Sequence, residues 1–411
     1  MKKILFIAGF TLLTITINAQ ATVLDSVEMG SGYANEVYYR LIDGEKLAKQ
    51  ATEWHIAFHT SANSATIISN AALGLKIAKY PGTNADFETA DTTGFESWTK
   101  LYDDSLDFFN GAFTRMATGH PDYGWGTYSN ATHVVNGNSI FFIKTADETY
   151  KIDFIKKQTG TITFRYAKIN ESTGTEIVVA ASTTYANKDF VFFNLETGQV
   201  LDRELEGWDL WAVKYIDWYN GTAPDQAVTG ILANPKWEVA VVNVGSGNQA
   251  SHSDYTLGNF EQKKNAIGQS YKFMNASYQW EVTTDKVYYL QNEDGDIWKW
   301  YPTNFVGTSA GKTVFIKQQM AFAGVETLET QFVDVYPNPT QGQLTVVFDS
   351  KAANAEILVK NQLGQLISSR TIPTTSGVNQ AKLDISNANN GMYFVEVIQN
   401  NTTTVKSVVK F

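Results

Sequence analysis

The chain of 411 residues contains no cysteine. This absence excludes disulfides, thiolate metal sites and cysteine nucleophiles, and it leaves no cysteine at which an N-terminal lipid could be attached. A chain without disulfides depends on its hydrophobic core for stability. Aromatic residues make up 13% of the sequence and charged residues only 18%. The apolar surface is therefore sufficient to build a sizeable core.

Long apolar runs are also missing, with one exception at the N-terminus. Lys2 and Lys3 precede an apolar stretch from Ile4 to Ile17, and the small residue Ala19 follows it. This order is typical of a secretory signal peptide over residues 1–19, and the stretch is too short for a membrane-spanning helix. The sequence therefore predicts export through the Sec machinery and a mature chain without a transmembrane segment.

Basic residues are outnumbered by acidic ones, and the formal net charge is −10. Signal cleavage would remove Lys2 and Lys3 but no acidic residue, so the mature chain becomes more acidic still. Such a chain is poorly suited to contact the phosphates of nucleic acids. Anionic lipid surfaces should repel it for the same reason.

Helical signals are sparse, whereas short aromatic and β-branched runs recur in a fixed order. "EVYYRL" from Glu36 matches "DFVFFNL" from Asp189, and "EWHIAF" from Glu53 matches "GWDLWAV" from Gly207. Further along, "YSNATH" at 128–133 matches "FMNASY" at 273–278. We predict an all-β protein with two repeated antiparallel domains, residues 20–185 and 186–323. Trp54 and Trp208 should occupy equivalent core positions.

The last eighty or so residues change in composition, because aromatic residues become rarer and Thr, Asn, Gln and Val dominate. The segment opens with Tyr336, Pro337, Asn338 and Pro339, and the two prolines favour an extended entry. Alternating strands separated by turns follow it. The pattern predicts a linker at 324–331 and a small Ig-like β-sandwich at 332–411.

This tail resembles the C-terminal sorting domain of type IX (Por) secretion substrates from Bacteroidetes-type bacteria. The resemblance rests on "YPNP", a central "LGQ" turn, "GMYFVEV" and the last strand "VKSVVKF", in that order. It implies that the outer-membrane translocon handles the domain, with residues 336–339 as its sorting motif. The protein would then be secreted or held at the cell surface.

The two repeats resemble the HmuY-like haem-binding proteins of the same bacteria. The resemblance rests on "YYRL", "WHIAF" or "WDLWAV", an Asn-led strand and "IFFIKTADETYKIDF", which are mainly core strands and bear on fold more than on function. It implies an all-β domain that holds haem between loops through His or Met ligands. Members of that family carry a lipid anchor, whereas this chain lacks the required cysteine.

Haem ligation requires His or Met at the iron within an apolar pocket. Four of the five histidines lie in the first repeat, and Asp209 and Tyr278 stand where His55 and His133 would recur. We expect His55 and His59 to be structural. His120 is the leading ligand candidate because it lies in a Gly/Pro-rich loop. The remaining haem-site candidates are Met116 and His133 as second ligands, and Tyr123 and Trp125 as pocket walls.

Other chemistry has little support in the sequence. Ser246, His252 and Asp254 lack nucleophile-elbow spacing, and "NEDGDIW" at 292–298 resembles a hairpin turn more than a calcium loop. Trp211, Trp218 and Tyr219 could stack on sugars but are more typical of a core. We therefore expect no enzyme, and no metal apart from haem iron. Two functions remain: capture of haem, free or from a haem protein, for iron acquisition, and a surface glycan- or protein-binding module without haem.

Overall fold

The computed structural model describes residues 22–219, 222–321, 333–350, 352–375, 377–399 and 402–411. The predicted signal peptide and linker therefore lie outside the described residues. The chain divides into two compact units between Ala323 and Gly324. The protein is nearly all β, as the sequence predicts. Within the described part of the chain, no helix combines the length and the apolar character needed to cross a membrane.

The first unit is built from short strands joined by turns, with only two four-residue α-helices among the residues described. Its strands are β1 (Val23–Glu28), β2 (Asn35–Tyr39), β3 (Lys46–Gln50), β4 (Ile56–His59), β5 (Ile67–Ser69), β6 (Lys76–Lys79), β7 (Lys100–Leu101), β8 (Gly126–Ser129), β9 (Val134–Gly137), β10 (Ile140–Lys144), β11 (Thr149–Gln158), β12 (Thr161–Lys168), β13 (Thr175–Ala180), β14 (Phe190–Asn194), β15 (Gln199–Leu201), β16 (Leu210–Tyr219), β17 (Thr222–Ala233), β18 (Glu238–Asn243), β19 (Lys272–Met274), β20 (Trp280–Val282), β21 (Lys286–Gln291), β22 (Ile297–Val306) and β23 (Lys312–Ala321). The helices are α1 (Ala181–Thr184) and α2 (Gly307–Ala310).

Two β-sandwiches form the first unit. In the first sandwich, a sheet ordered β13-β12-β11-β10-β6-β7 packs on a sheet ordered β15-β14-β4-β5, and the β8–β9 hairpin joins through β9 and β11. Apolar residues alternate on the inner faces, and Phe58, Phe154, Phe164 and Phe193 fill the space between the sheets. In the second sandwich, β1-β23-β22-β21-β18 packs on β17-β16-β2-β3 around Tyr39, Trp300 and Phe315.

The strand orders of the two sandwiches correspond except for β7, which has no counterpart in the second sandwich, and this correspondence agrees with the internal repetition read from the sequence. The predicted boundary at 185/186, however, does not coincide with a boundary between sheets. β1, β2 and β3 complete the second sandwich, because β1 pairs with β23 and β2 with β16. β14 and β15 complete the first sandwich, because β14 pairs with β4. Backbone pairing between distant segments decides this arrangement, and neither the composition nor the local pattern reports it.

Equivalent hydrogen bonds confirm the alignment of the two copies. The backbone N–H of Leu195 donates to Nδ1 of His55 over 3.2 Å, and that of Leu41 donates to Oδ2 of Asp209 over 2.6 Å. Asn70 and Asn234 then accept a backbone N–H two residues on, each over 2.9 Å. Trp54 and Trp208, one residue before His55 and Asp209, are both buried, as the sequence predicts. The repeat alignment therefore holds at the level of individual side chains.

The second unit is a sandwich of seven strands among its described residues. Its strands are β24 (Val333–Tyr336), β25 (Gln343–Ser350), β26 (Asn354–Asn361), β27 (Leu366–Pro373), β28 (Gly377–Asp384), β29 (Gly391–Gln399) and β30 (Thr402–Lys410). The sheet β24-β25-β28 packs on the sheet β27-β26-β29-β30. Alternate residues such as Val346, Phe348, Ile357 and Val395 face the core between them. The predicted Ig-like sandwich is therefore present.

Candidate functional site

The Gly/Pro-rich loop proposed to hold a ligand lies between β7 and β8 and forms a compact turn. The carboxylate of Asp122 accepts hydrogen bonds from the backbone N–H groups of Thr118 and Gly124, over 2.9 and 2.8 Å. Gly124 has φ of 84°, and a Cβ there would lie 2.8 Å from the carbonyl oxygen of Phe113. Glycine is therefore required at this position. His120, at the tip of the loop, is exposed.

Trp125 does not wall a ligand site, which corrects the expectation from the sequence. Its ring is fully buried in the core of the first sandwich, and its Nε1–H donates to the carbonyl oxygen of Ala65 over 2.9 Å. Tyr123 is half-buried and packs against the same core. The physical reason is that an indole beside a tight turn gains more from burial with a satisfied N–H than from exposure on a loop.

Met116 is 48% exposed. It lines an open depression of about 300 Å³, together with residues 99–103 and Arg115. His120 is not part of that lining, so the structure does not bring these two candidate ligands into one pocket. The cations beside Met116 are already engaged. Lys100 donates to the carbonyl oxygens of Phe95 and Trp98, and Arg115 pairs with an aspartate.

The structure does bring His120 and His133 to the same tyrosine. The ring centroid of Tyr128 lies 5.4 Å from that of His120 and 6.2 Å from that of His133. The phenolic oxygen of Tyr128 and Nδ1 of His133 are 2.8 Å apart, which is a hydrogen-bond distance. The sequence did not single out Tyr128, although its place in the "YSNATH" repeat was a usable signal. No group of three or more His, Cys, Asp or Glu suited to a metal occurs among the described residues.

The equivalent hairpin of the second sandwich, β19–β20, also exposes aromatic and apolar side chains. Tyr278 is 85% exposed, and Phe273 and Met274 are 46% and 47% exposed. Oδ1 of Asn275 accepts the backbone N–H groups of Ser277 and Gln279, each over 2.9 Å, and so holds the turn.

His133 and Tyr278 occupy the same position in the two hairpins and share an uncommon backbone conformation. Their φ angles are 54° and 59°, in the left-handed region that glycine normally occupies. A side chain there costs about 1–2 kcal/mol. Both copies therefore have a residue with a ring at this position, which is an imidazole in the first copy and a phenol in the second.

The remaining histidines are held by structural contacts. His55 and His59 are buried, and burial lowers the pKa of each to about 4. Nδ1 of His59 accepts the N–H of Ser61 over 3.3 Å, so His59 caps the loop and has a structural role. Nδ1 of His252 lies 2.7 Å from the hydroxyl oxygen of Tyr289.

The weak motifs of the second repeat also have structural partners. Ser246 pairs with Thr284 over 2.9 Å and Asp254 with Thr256 over 2.6 Å. In the loop at 292–298, the amide of Asn292 binds Asp296 in a turn. Trp211 is buried between the two sandwiches. The side chains of Trp218 and Tyr219 lie outside the described residues.

Between the two sandwiches lies a small cavity of about 30 Å³, lined by Trp54, Phe108, Trp211 and Lys264 among others. A cavity of this volume has room for about two water molecules and is far smaller than a haem. The same interface contains a buried ion pair in which Nε and Nη2 of Arg203 donate to Oε1 of Glu36 over 3.2 and 2.8 Å. Sequence reasoning missed this pair, because its members lie 167 residues apart.

In the second unit, the motif at 336–339 is exposed and attached to the last strand. Nδ2 of Asn338 donates to the carbonyl oxygen of Ser407 over 3.1 Å, and Oδ1 accepts the N–H of Val409 over 3.0 Å. The backbone of Thr340 continues the contact through hydrogen bonds with Val409 and Phe411. The motif therefore covers one end of the β30 edge.

Comparison with known proteins identifies this unit. Residues 334–410 match the family described as "Secretion system C-terminal sorting domain". The C-terminal unit is a type IX sorting domain. The protein carrying it is exported to the cell surface or secreted, and the type IX translocon handles it.

The other comparisons add little about the first unit. A search of curated proteins found no match. One solved structure that matches is titled "Biofilm associated protein - BSP domain", at 10% identity over 95% of this chain and 82% of that chain. Its TM-score of 0.18 is too low to carry an argument. The HmuY-like resemblance of the two repeats receives no support from these comparisons.

Proposed function

We propose that this exported protein is a non-catalytic binding protein, and that its ligand contacts are the two equivalent hairpins β8–β9 and β19–β20. The observation that carries the proposal is the pair His133 and Tyr278. Each is an exposed ring in a left-handed backbone position. Glycine would relieve the backbone cost at both positions. Retention of a ring in both copies indicates that the side chain itself is used.

Carbohydrate is the ligand class that these hairpins fit best. An exposed aromatic ring stacks on the C–H face of a sugar, and its polar edge remains free to hydrogen-bond. Each ring follows an Asn-Ala-Thr or Asn-Ala-Ser turn whose amides and hydroxyls suit sugar hydroxyl groups. The net charge of −10 disfavours anionic polysaccharides. We therefore expect a neutral glycan.

The test is native affinity electrophoresis of the purified chain in gels containing soluble neutral polysaccharides. Tyr278→Gly and His133→Gly should each lose retardation, and the double variant should migrate as it does without glycan. Thr159→Gly is the matched control, because Thr159 also has a left-handed backbone with φ of 50° but lies in the β11–β12 turn. Unchanged retardation of the double variant would reject the proposal.

Haem capture is the second candidate, and the observation that favours it is the placement of His120 and His133 on one tyrosine. The two imidazoles would hold the haem iron, and Tyr128 would supply an aromatic contact beside them. Haemin titration of the parent should then give a Soret shift that His120→Ala and His133→Ala abolish. His252→Ala, in the second sandwich, is the control. A parent without a Soret shift rejects haem and leaves the glycan proposal standing.

A further inference from the structure

The sequence contains four Asn-Gly pairs, at 110–111, 136–137, 220–221 and 390–391, of which the pair at 220–221 lies outside the described residues. In such a pair the backbone nitrogen of glycine can attack the side-chain amide of asparagine, because no side chain on the glycine obstructs it. The attack closes a cyclic imide and expels ammonia, and water then opens the ring to aspartate or isoaspartate. Ring closure requires the backbone to rotate, so the packing around each pair decides which asparagine can react.

Two of the described pairs are held by neighbouring backbone. A Cβ on Gly137 would overlap the carbonyl oxygen of Phe154, and one on Gly111 would overlap that of Ile67. Asn136 is exposed, but it lies within β9, where the backbone pairs with β8 on one side and β11 on the other. Neither backbone has space to rotate, so ring closure at these two pairs requires local unfolding first.

The pair at 390–391 is different, because it lies in open space. Both residues are exposed, and nothing lies within 4 Å of the position that a Cβ on Gly391 would take. Asn390 belongs to the loop between β28 and β29, and β29 begins only at Gly391. Gly391 has φ of 154°, a conformation that residues with a side chain rarely adopt. The backbone therefore favours glycine after Asn390, and the same glycine leaves the amide open to attack.

A cation beside Asn390 favours the reaction. Nζ of the buried Lys410 donates to Oδ1 of Asn390 over 3.2 Å. An ammonium at that distance draws electron density from the amide carbonyl, and it stabilises the negative charge that forms on the oxygen during attack. An aspartate product would accept a charge-assisted hydrogen bond from the same ammonium, which is stronger than a bond to a neutral amide. The contact therefore assists ring closure and also stabilises the product.

We propose that Asn390 is a site of spontaneous deamidation assisted by Lys410, so that the aged protein carries aspartate or isoaspartate at this position. The nitrogen of Gly391 loses its proton and forms a bond to Cγ of Asn390, and the bond from Cγ to Nδ2 breaks to release ammonia. Water then adds across the ring. The product has one more negative charge than the parent, whose net charge is already −10. An isoaspartyl link also lengthens the main chain directly before β29.

The experiment ages the purified full chain in mildly alkaline buffer and follows each Asn-Gly pair by peptide mass spectrometry. We expect Asn390 to deamidate at least about tenfold faster than Asn136 or Asn110, because those two must first unfold locally. The same chain aged in urea is the control, and there the rates at these positions should converge. Lys410→Met should slow the reaction at Asn390, whereas Lys410→Arg, which keeps the cation, should retain most of it.

Equal rates at Asn390 and Asn136 in the folded chain would overturn the proposal, and so would a Lys410→Met variant that ages like the parent. A peptide that has lost ammonia and joins residue 390 to residue 410 would also overturn it, because the lysine and not water would then have displaced the amide. Thermal unfolding checks that the Lys410 variants are folded, and Lys410→Gln repeats the test if Lys410→Met is not. None of these results bears on the glycan or haem proposals, since the reaction requires no ligand.

Discussion

Arg203 binds Glu36 with both side chains almost completely buried, and this pair joins the loop after β15 of the first sandwich to β2 of the second. Nε1–H of Trp54 donates to the other carboxylate oxygen of Glu36 over 3.2 Å. Burial raises the pKa of Glu36 to about 7, although Arg203 acts to lower it. The pair therefore holds the closing strands of one sandwich against the other.

Removal of one member should destabilise the protein strongly. We expect Arg203→Met to lower the free energy of unfolding by about 3–5 kcal/mol, because it leaves a buried carboxylate without its partner. The double variant Glu36→Leu/Arg203→Met should recover most of that loss. Arg40→Met, which removes an exposed pair with Asp43, is the control and should cost about 1 kcal/mol or less. Urea unfolding measures all four proteins, and equal losses in the single and double variants would contradict the argument.

The two repeated tryptophans should be comparably important. Trp54→Ala and Trp208→Ala each empty a buried position in the cluster between the sandwiches, at an expected cost of about 3–5 kcal/mol. Trp98→Ala, at a half-buried ring outside that cluster, should cost less. Chemical denaturation measures the loss of unfolding free energy in each of the three variants. A large loss for one of the repeated tryptophans and none for the other would contradict their equivalence.

His55 and Asp209 should give stability opposite dependences on pH. Burial lowers the pKa of His55 from 6.5 to about 4, so between these values the unfolded state binds more protons and stability rises with pH. Burial raises the pKa of Asp209 from 3.8 to about 7, so in that range the folded state binds more protons and stability falls with pH.

Asparagine at either position keeps an acceptor for the leucine N–H and removes the titration. His55→Asn should lower the slope of unfolding free energy against pH between pH 4.5 and 6.5, and Asp209→Asn should raise it. Each change is at most about 1.4 kcal/mol per pH unit. Urea unfolding at three pH values measures the slopes, and slope changes of the same sign in both variants would refute this account.

Glycine substitutions at the two hairpin tips should increase stability and abolish glycan binding. Tyr278→Gly and His133→Gly relieve a left-handed backbone and should raise the free energy of unfolding by up to about 1 kcal/mol, less the extra freedom of glycine in the unfolded chain. Both should nevertheless lose glycan retardation. Thermal melts alongside the affinity gels check this combination. A destabilised Tyr278→Gly would show that the ring serves packing.

Deletion of residues 332–411 should separate folding from export. The first unit has its own cores and its own sheets, so the truncated chain should melt cooperatively near the parental temperature. It should fail to reach the surface or the medium, because the sorting domain is lost. Calorimetry and cell fractionation measure the two effects. Normal delivery of the truncated chain would show that the signal lies elsewhere.

The sequence alone was sufficient for the fold class, the sorting domain and the alignment of the two repeats. Those features are local, because alternation of apolar residues, turn residues and short motifs such as the one at 336–339 depend on neighbours along the chain. The equivalence of Trp54 with Trp208 and of His133 with Tyr278 could be read from the same patterns. In contrast, the same patterns said nothing about which strand pairs with which.

Tertiary structure decided the rest. β1 and β2 close the second sandwich because their backbones pair with β23 and β16, far along the chain, and β3 joins the same sheet through β2. No local signal reports such pairing. Trp125 and His120 lie five residues apart in one loop, yet the indole is in the core and the imidazole is in water. Burial depends on what packs against the loop from other strands. For that reason the candidate site lies at Tyr128 and the hairpin tips, and not in the pocket predicted around His120 and Trp125.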